Sequence, residues 1–169
     1  MKNIVLTGFM GTGKTEVSKI IEARLKIPRL CLDDMIEKSA GRKISDIFKV
    51  YGEPHFRKIE SDMVALASDK TGVVIDAGGG AIINEDNLKN LKRTGIIFCL
   101  SASADAIFER IRRNASRPLL NTKDPKNIIA ELLVKRAPFY KKADYTIDTT
   151  ALTPDKAADE IIGIMKKHE

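Results

Sequence analysis

The stretch Gly8-Phe9-Met10-Gly11-Thr12-Gly13-Lys14-Thr15 follows directly on the apolar run Ile4-Val5-Leu6 and is followed by Val17, Ile20, Ile21 and Leu25 at helical spacing. It satisfies every position of the phosphate-cradling pattern G-x-x-x-x-G-K-[ST], and it does so between a strand pattern and a helix pattern, the context that gives the motif its meaning. Glycines let the backbone turn its N–H groups toward phosphate oxygens, and the helix that starts there offers its positive end. Gly11, Thr12 and Gly13 supply that backbone, Lys14 can reach the β- and γ-phosphates, and the Thr15 hydroxyl can ligate Mg²⁺. The motif places a nucleoside triphosphate. It does not choose between an ATPase, a GTPase and a small-molecule kinase.

Outward from this loop, five short apolar runs read as buried parallel strands: Ile4 to Leu6, Leu30 to Leu32, Val73 to Ile75, Ile96 to Leu100 and Tyr145 to Ile147. Helical stripes alternate with them. Phe56, Ile59, Met63 and Leu66 form one, Ile107, Phe108 and Ile111 another, and Ile128, Ile129, Leu132 and Leu133 a third. Thr153 as N-cap, Pro154 at the first helical position and Asp155 in the first turn announce a last helix that buries Ala158, Ile161, Ile162 and Met165. The alternation predicts an α/β fold: a five-stranded parallel sheet covered by helices on both faces, with ligands at the carboxyl ends of the strands.

The 169 residues fit one domain, and 43% hydrophobic with 31% charged residues is ordinary soluble composition. No apolar run approaches a bilayer span, and Met1-Lys2-Asn3 leads straight into the first strand without a signal-peptide pattern, so a cytoplasmic protein is expected. Cys31 and Cys99 sit in strand-like runs and read as buried free thiols, while His55 and His168 read as surface residues. The net charge of +6 suits a small anion as well as nucleic acid. Arg110, Arg112, Arg113 and Arg117 cluster just before Pro118 without interleaved aromatics, which argues against a stacking surface for single strands. From about Arg112 to Pro125, breakers and arginines together suggest a mobile lid that closes over the phosphates. No exposed heptad or apolar stripe demands a partner, and a monomer is expected.

The strand ends supply the remaining chemistry of phosphoryl transfer, which needs a positioned acceptor, Mg²⁺ and cations to absorb charge. Asp33 follows the second strand; it can accept a hydrogen bond from a substrate hydroxyl, or serve as N-cap of a helix from Met35 to Ser39. Val73-Val74-Ile75-Asp76 is an apolar run ending in an acid, the form expected of a carboxylate that holds a magnesium-bound water opposite Thr15. Gly78, Gly79 and Gly80 follow, and three glycines at a strand end suggest backbone N–H groups offered closely to a ligand, or a tight turn. Arg57 and Arg136 lie beside apolar helix stripes, where a guanidinium can snorkel or can grip a carboxylate bidentately.

Taken in order, the phosphate loop, Asp33, Gly41-Arg42, Phe56-Arg57, Gly78-Gly79-Gly80, Arg117-Pro118-Leu119-Leu120 and Arg136-Ala137-Pro138-Phe139-Tyr140 resemble the shikimate kinase family over nearly the whole chain. The resemblance implies a three-layer P-loop kinase fold in a single domain and ATP-dependent phosphorylation of the 3-hydroxyl of shikimate, a step toward chorismate and the aromatic amino acids. It also implies that Asp33 binds and helps activate the acceptor hydroxyl, that Arg57 and Arg136 hold the substrate carboxylate, and that Gly79 and Gly80 add backbone contacts. Arg117 in the lid is implied to bridge substrate and phosphates, and Arg110 with the turn from Leu152 to Pro154 to flank the adenine.

One position departs from the pattern of the family, which has Asp-x-Asp after the second strand; here Cys31 stands in the first place, followed by Leu32 and Asp33. A neutral thiol is a poor partner for hard Mg²⁺. Asp76 stands where the family commonly has a small neutral residue, so the expectation is that the carboxylate serving magnesium has moved to the third strand. Two other readings stay open: a P-loop kinase for another hydroxylated acid such as gluconate or for a nucleoside monophosphate, and a nucleotide-switched nucleic-acid-binding module.

Overall fold

A computed structural model of the chain describes residues 1–113 and 123–168. Strands β1 (Asn3–Thr7), β2 (Arg29–Cys31), β3 (Val74–Asp76), β4 (Gly95–Ser101) and β5 (Tyr145–Asp148) form one sheet in the order β2-β3-β1-β4-β5, with every pairing parallel. The helices between them are α1 (Lys14–Leu25), α2 (Leu32–Ala40), α3 (Ile44–Ser68), α4 (Glu85–Thr94), α5 (Ala104–Ile111), α6 (Pro125–Tyr140) and α7 (Pro154–Met165). Among the described residues no helix is long and apolar enough to cross a membrane.

The two-residue period of the strands sorts their side chains into two cores. Val5, Ile75 and Ile97 face one way and pack with Leu32, Ile36, Phe56, Val64 and Leu91 under α2, α3 and α4. Ile4, Leu6, Val74, Ile96, Phe98 and Leu100 face the other way and pack with Val17, Ile21, Ala158 and Ile161 of α1 and α7. Burial of each large aliphatic or aromatic side chain contributes about 1.5–3 kcal/mol, so the sandwich of helix, sheet and helix follows from the alternation itself. A third cluster of Phe9, Ile107, Ile111 and Ile129 seats α5 and α6 against the phosphate loop.

Helix starts follow local chemistry. Thr153 caps α7 by accepting from the Lys156 N–H, with Pro154 at the first turn, and Asn84, Ser103 and Asp124 cap α4, α5 and α6 in the same way. Helix α3 is two helices across a kink at Gly52, whose φ of 79° favours glycine; Pro54 then fits the first turn of the second part.

Three sequence expectations are corrected. Leu32 begins α2 instead of ending β2, with Cys31 in the N-cap position, so Asp33 sits in the first helical turn and caps nothing. Leu66 is 54% exposed, and the buried stripe of α3 runs instead through Phe56, Glu60, Met63, Val64 and Ala67. Cys99 is a buried free thiol, but Cys31 is only half-buried. The expected lid from 112 to 125 falls largely outside the described residues, Arg117 included.

Candidate active site

The phosphate loop leaves the middle strand of the sheet with glycine dihedrals that only this residue adopts freely: φ is 134° at Gly8, 77° at Gly11 and 96° at Gly13. Gly8 is further constrained because a Cβ there would run into the Leu100 carbonyl oxygen on β4. Gly13 occupies the N-cap position of α1, so the positive end of the helix opens onto the loop. Lys14 Nζ donates to the Gly8 carbonyl at 2.7 Å and the Phe9 carbonyl at 3.0 Å, which folds its ammonium back over the loop. Thr12 Oγ1 donates to the Phe9 carbonyl at 2.7 Å and fixes the turn from inside, while the Thr15 side chain is exposed at the mouth.

A cleft of about 400 Å³ runs from this loop toward α2 and α3 and is lined by Lys14, Thr15, Cys31, Asp33, Arg57, Asp76, the three glycines from 78 to 80, and Arg136. The structure thus brings together in one place residues that lie far apart in the chain. Asp33 is reached by solvent, yet the cleft walls and then the Asp76 charge raise its carboxyl above the ordinary aspartate value, with the Lys14 ammonium opposing them. At the far end, Arg57 Nη1 meets Glu60 Oε2 at 2.8 Å and its other nitrogens meet Glu53 Oε1 at 3.1 and 3.2 Å. Arg136 lies over the Phe9 ring, 5.4 Å from its centre, with Nη1 3.5 Å from the Tyr140 hydroxyl.

The glycines make room for these arginines. A Cβ on Gly79 would lie 2.6 Å from the Gly8 carbonyl oxygen, 3.0 Å from the Tyr140 hydroxyl and 3.2 Å from Arg136 Nη1. A Cβ on Gly78 would rest 3.6 Å from Asp33 Oδ1 and 3.8 Å from Glu60 Oε1, in ordinary contact with both carboxylates.

Glu60 escaped the sequence reading. It is 3% exposed, and burial raises its carboxyl above the usual range while Arg57 opposes the shift. The signal was present: an acid four residues after Phe56 interrupts the apolar stripe, one turn beyond an arginine that can pair with it. Arg29 and Ser18 escaped as well. Arg29 Nη2 pairs with Asp76 Oδ2 at 2.8 Å, and the two side chains are 14% and 6% exposed. Such a buried pair adds little net stability after desolvation, so its value lies in where it holds the charges.

A second cleft of about 270 Å³ lies on the other side of the loop, between Thr12, Gly13, Arg110, Thr149 and the turn from Leu152 to Pro154. Arg110 is anchored there: Nη1 donates to the Gly11 carbonyl at 3.1 Å and to Thr149 Oγ1 at 3.1 Å, and Nη2 donates to the Thr149 carbonyl at 2.5 Å. Thr149 Oγ1 also stands 2.9 Å from the Thr12 carbonyl and 3.0 Å from that of Ser101. Arg110 and Pro154 are therefore neighbours across a gap that abuts the phosphate loop.

Known proteins share both this sequence pattern and this fold. The sequence model of the shikimate kinase family matches residues 10–166. The shikimate kinase of Thermodesulfovibrio yellowstonii is 49% identical over 162 residues, covering 96% of this chain and 94% of that protein. The chain belongs to the shikimate kinase family. The shikimate kinase of Thermoanaerobacter pseudethanolicus is 44% identical, covering 96% of this chain and 95% of that protein. The fold of this kinase superposes on shikimate kinase from Acinetobacter baumannii in complex with shikimate with a TM-score of 0.91 and 32% identity, covering 100% of this chain and 95% of that one. The shikimate kinase of Bacteroides thetaiotaomicron gives 0.88 and 31%, covering 98% of both chains.

Within that family fold, Cys31 and Asp76 are register partners across β2 and β3. Burial, with the surrounding carboxylates, pushes the Cys31 thiol above its ordinary value and keeps it a neutral sulfur donor. Among the described residues no three His, Cys, Asp or Glu side chains gather to hold a metal directly. The hard oxygens lining this cleft are the Thr15 hydroxyl and the carboxylates of Glu16, Asp33, Glu60 and Asp76.

Proposed function

We propose that this kinase transfers the γ-phosphoryl group of ATP to the 3-hydroxyl of shikimate, giving shikimate 3-phosphate and ADP on the route to chorismate and the aromatic amino acids. The observation that carries the proposal is one continuous cleft joining Lys14 and Thr15 of the phosphate loop to Asp33 and to two arginines, Arg57 and Arg136, on its walls. A polyol bearing a carboxylate matches it: guanidinium forks take the carboxylate and an aspartate takes a hydroxyl. Base and ribose fall to the second cleft beside Arg110 and Pro154, and the phosphates to the backbone from Gly11 to Thr15.

In this reading Asp33 orients the attacking hydroxyl and accepts its hydrogen bond, Lys14 and Arg117 offset charge on the transferring group, and Gly78, Gly79 and Gly80 let the acceptor approach the backbone. Glu60 and Glu53 hold the Arg57 guanidinium at the position where it meets the carboxylate. By donor chemistry Thr15 and Asp76 would hold a magnesium ion, which would supply charge to offset that of the phosphates. We further propose a cytoplasmic monomer that uses neither nucleic acid nor membrane.

The deciding experiment measures ADP release in a coupled assay with shikimate, gluconate, nucleoside monophosphates or no acceptor. ADP release that depends on shikimate is expected. Release independent of shikimate, or faster with gluconate, overturns the assignment.

A further inference from the structure

Behind the phosphate loop, three elements meet at a single carboxylate oxygen. Arg29 on β2 donates from Nη2 to Asp76 Oδ2 at 2.8 Å and from Nε to Ser18 Oγ at 2.7 Å. Ser18, one turn after Thr15 in α1, stands 3.1 Å from the same Asp76 Oδ2 and 2.9 Å from the Thr15 carbonyl, with one proton to give to either. The planar fork of the guanidinium therefore spans strand and helix at once. Asp76 Oδ2 is fixed from behind. Asp76 Oδ1 has no protein donor among the described residues, and the residue lines the cleft together with Thr15.

The ladder explains why an arginine belongs here. Cys31 and Asp76 are paired in the β2–β3 register, and Arg29 is paired with Val74, so Arg29 lies two residues before Cys31 on the same sheet face. That face is the one packed by α1, since Val74 belongs to the core under α1 and α7. An acid placed at Asp76 stands one strand sideways from position 31, about 4.8 Å away. It reaches the mouth of the cleft only if its rotation about the side chain is set, and nothing but Arg29 and Ser18 sets it among the described residues.

We propose that Arg29 is a positioning residue that, with Ser18, holds Asp76 Oδ2 so that Oδ1 faces the water shell of the magnesium ion bound with the nucleotide. The proposal rests on the assignment of Asp76 to that shell, and it links three residues into one adaptation: the acid on β3, the thiol that replaces it on β2, and the arginine that orients it. Arg29 acts through Asp76 and touches neither substrate.

The test uses the full chain and Mn²⁺ as the probe, with Mn²⁺ affinity of the ADP complex read from the electron paramagnetic resonance signal of the free ion. Asp76→Asn is expected to weaken Mn²⁺ binding by about tenfold, the low end for groups that orient the ligands of a metal. Arg29→Lys keeps the charge, so electrostatic attraction for the metal is conserved, but its compact, freely rotating ammonium lacks the planar fork that fixes the direction of both contacts; Mn²⁺ binding weakens by part of the same factor. The double variant binds no more weakly than Asp76→Asn alone, and ADP affinity without metal is unchanged throughout. A purely structural pair predicts instead a lower melting temperature in Arg29→Lys with Mn²⁺ affinity as in wild type, and that result overturns the positioning role while leaving Asp76 in place. Wild-type Mn²⁺ affinity in Asp76→Asn overturns the underlying assignment and the proposal with it. If Arg29→Lys does not fold, Ser18→Ala removes the other half of the grip without altering charge, and the same two outcomes apply to it.

Discussion

Replacing Gly80 with alanine should damage shikimate binding while sparing turnover and the use of ATP. Gly80 has φ −95° and ψ −14°, a conformation open to any residue, so the substitution acts through space alone. The added Cβ would run into Arg57 Nη1 and lie 2.8 Å from Nη2 and 2.9 Å from Cζ. These atoms end a long side chain, so the guanidinium swings away and the backbone stays. Arg57 then loses its place between Glu60 and Glu53 and can no longer meet the substrate carboxylate. A hydrogen bond to a charged partner contributes about 1.5–3 kcal/mol, and about 1.4 kcal/mol is tenfold, so KM for shikimate should rise about ten- to a hundredfold. The carboxylate is remote from the reacting hydroxyl, so kcat and KM for ATP should stay near wild type. Because Glu60 is buried, its loss of a counter-charge should also lower the melting temperature. The measurement is a coupled ADP-release assay with each substrate varied in turn. Gly163→Ala serves as control, since a Cβ at that position meets nothing within 4 Å; it should leave kinetics unchanged and stabilise α7 by up to about 1 kcal/mol. An unchanged KM for shikimate in Gly80→Ala, or a loss confined to kcat, refutes the role given to Arg57.

Lys14→Ala removes the ammonium held over the loop and should lower kcat by about a hundredfold or more, measured at saturating ATP and shikimate; turnover near wild type contradicts the placement of the phosphates. Burial and Asp76 raise the Asp33 carboxyl, so the hydrogen-bond-accepting carboxylate is lost at a higher pH than for a free side chain. The acid limb of kcat/KM should therefore inflect above the ordinary aspartate value of about 3.9, and an inflection at or below it argues against Asp33 as the group that accepts the hydroxyl proton. Thr149→Val keeps the shape but removes the hydroxyl shared by Arg110 and the Thr12 and Ser101 carbonyls. It should cost about 1–3 kcal/mol of stability and raise KM for ATP, read by thermal unfolding and ATP saturation; no change in either separates Thr149 from the nucleotide cleft.

The phosphate loop and the strands were legible because their signals are local. Loop glycines, alternating apolar runs and the Thr153-Pro154 cap each state their conformation within a few residues. Asp33, Arg57 and Arg136 were legible through the order of motifs along the chain, and the cleft then brought them together. What escaped were pairings between distant segments. Arg29 lies 47 residues from Asp76, and nothing near it in sequence marks it as a partner of an acid. Glu60 was hidden for another reason: an acid on an apolar stripe reads as an interruption until the arginine one turn earlier is seen folded against it. The boundary at Leu32 was missed because an apolar residue suits the end of a buried strand and the buried first turn of a helix equally well.

The central place of β1 in the sheet has a consequence for how such an enzyme can diversify. On one flank, β2 and β3 lead into Asp33, the glycine turn and the helix bearing Arg57; on the other, β4 and β5 lead into Arg110, Thr149 and Pro154. With the acceptor in the cleft beside Asp33 and the donor in that beside Arg110, as proposed above, the two are recognised from opposite halves of the molecule, with Arg136 of α6 the crossing strut. A change confined to one flank can then alter one substrate while the strands that carry the other keep their pairing to β1.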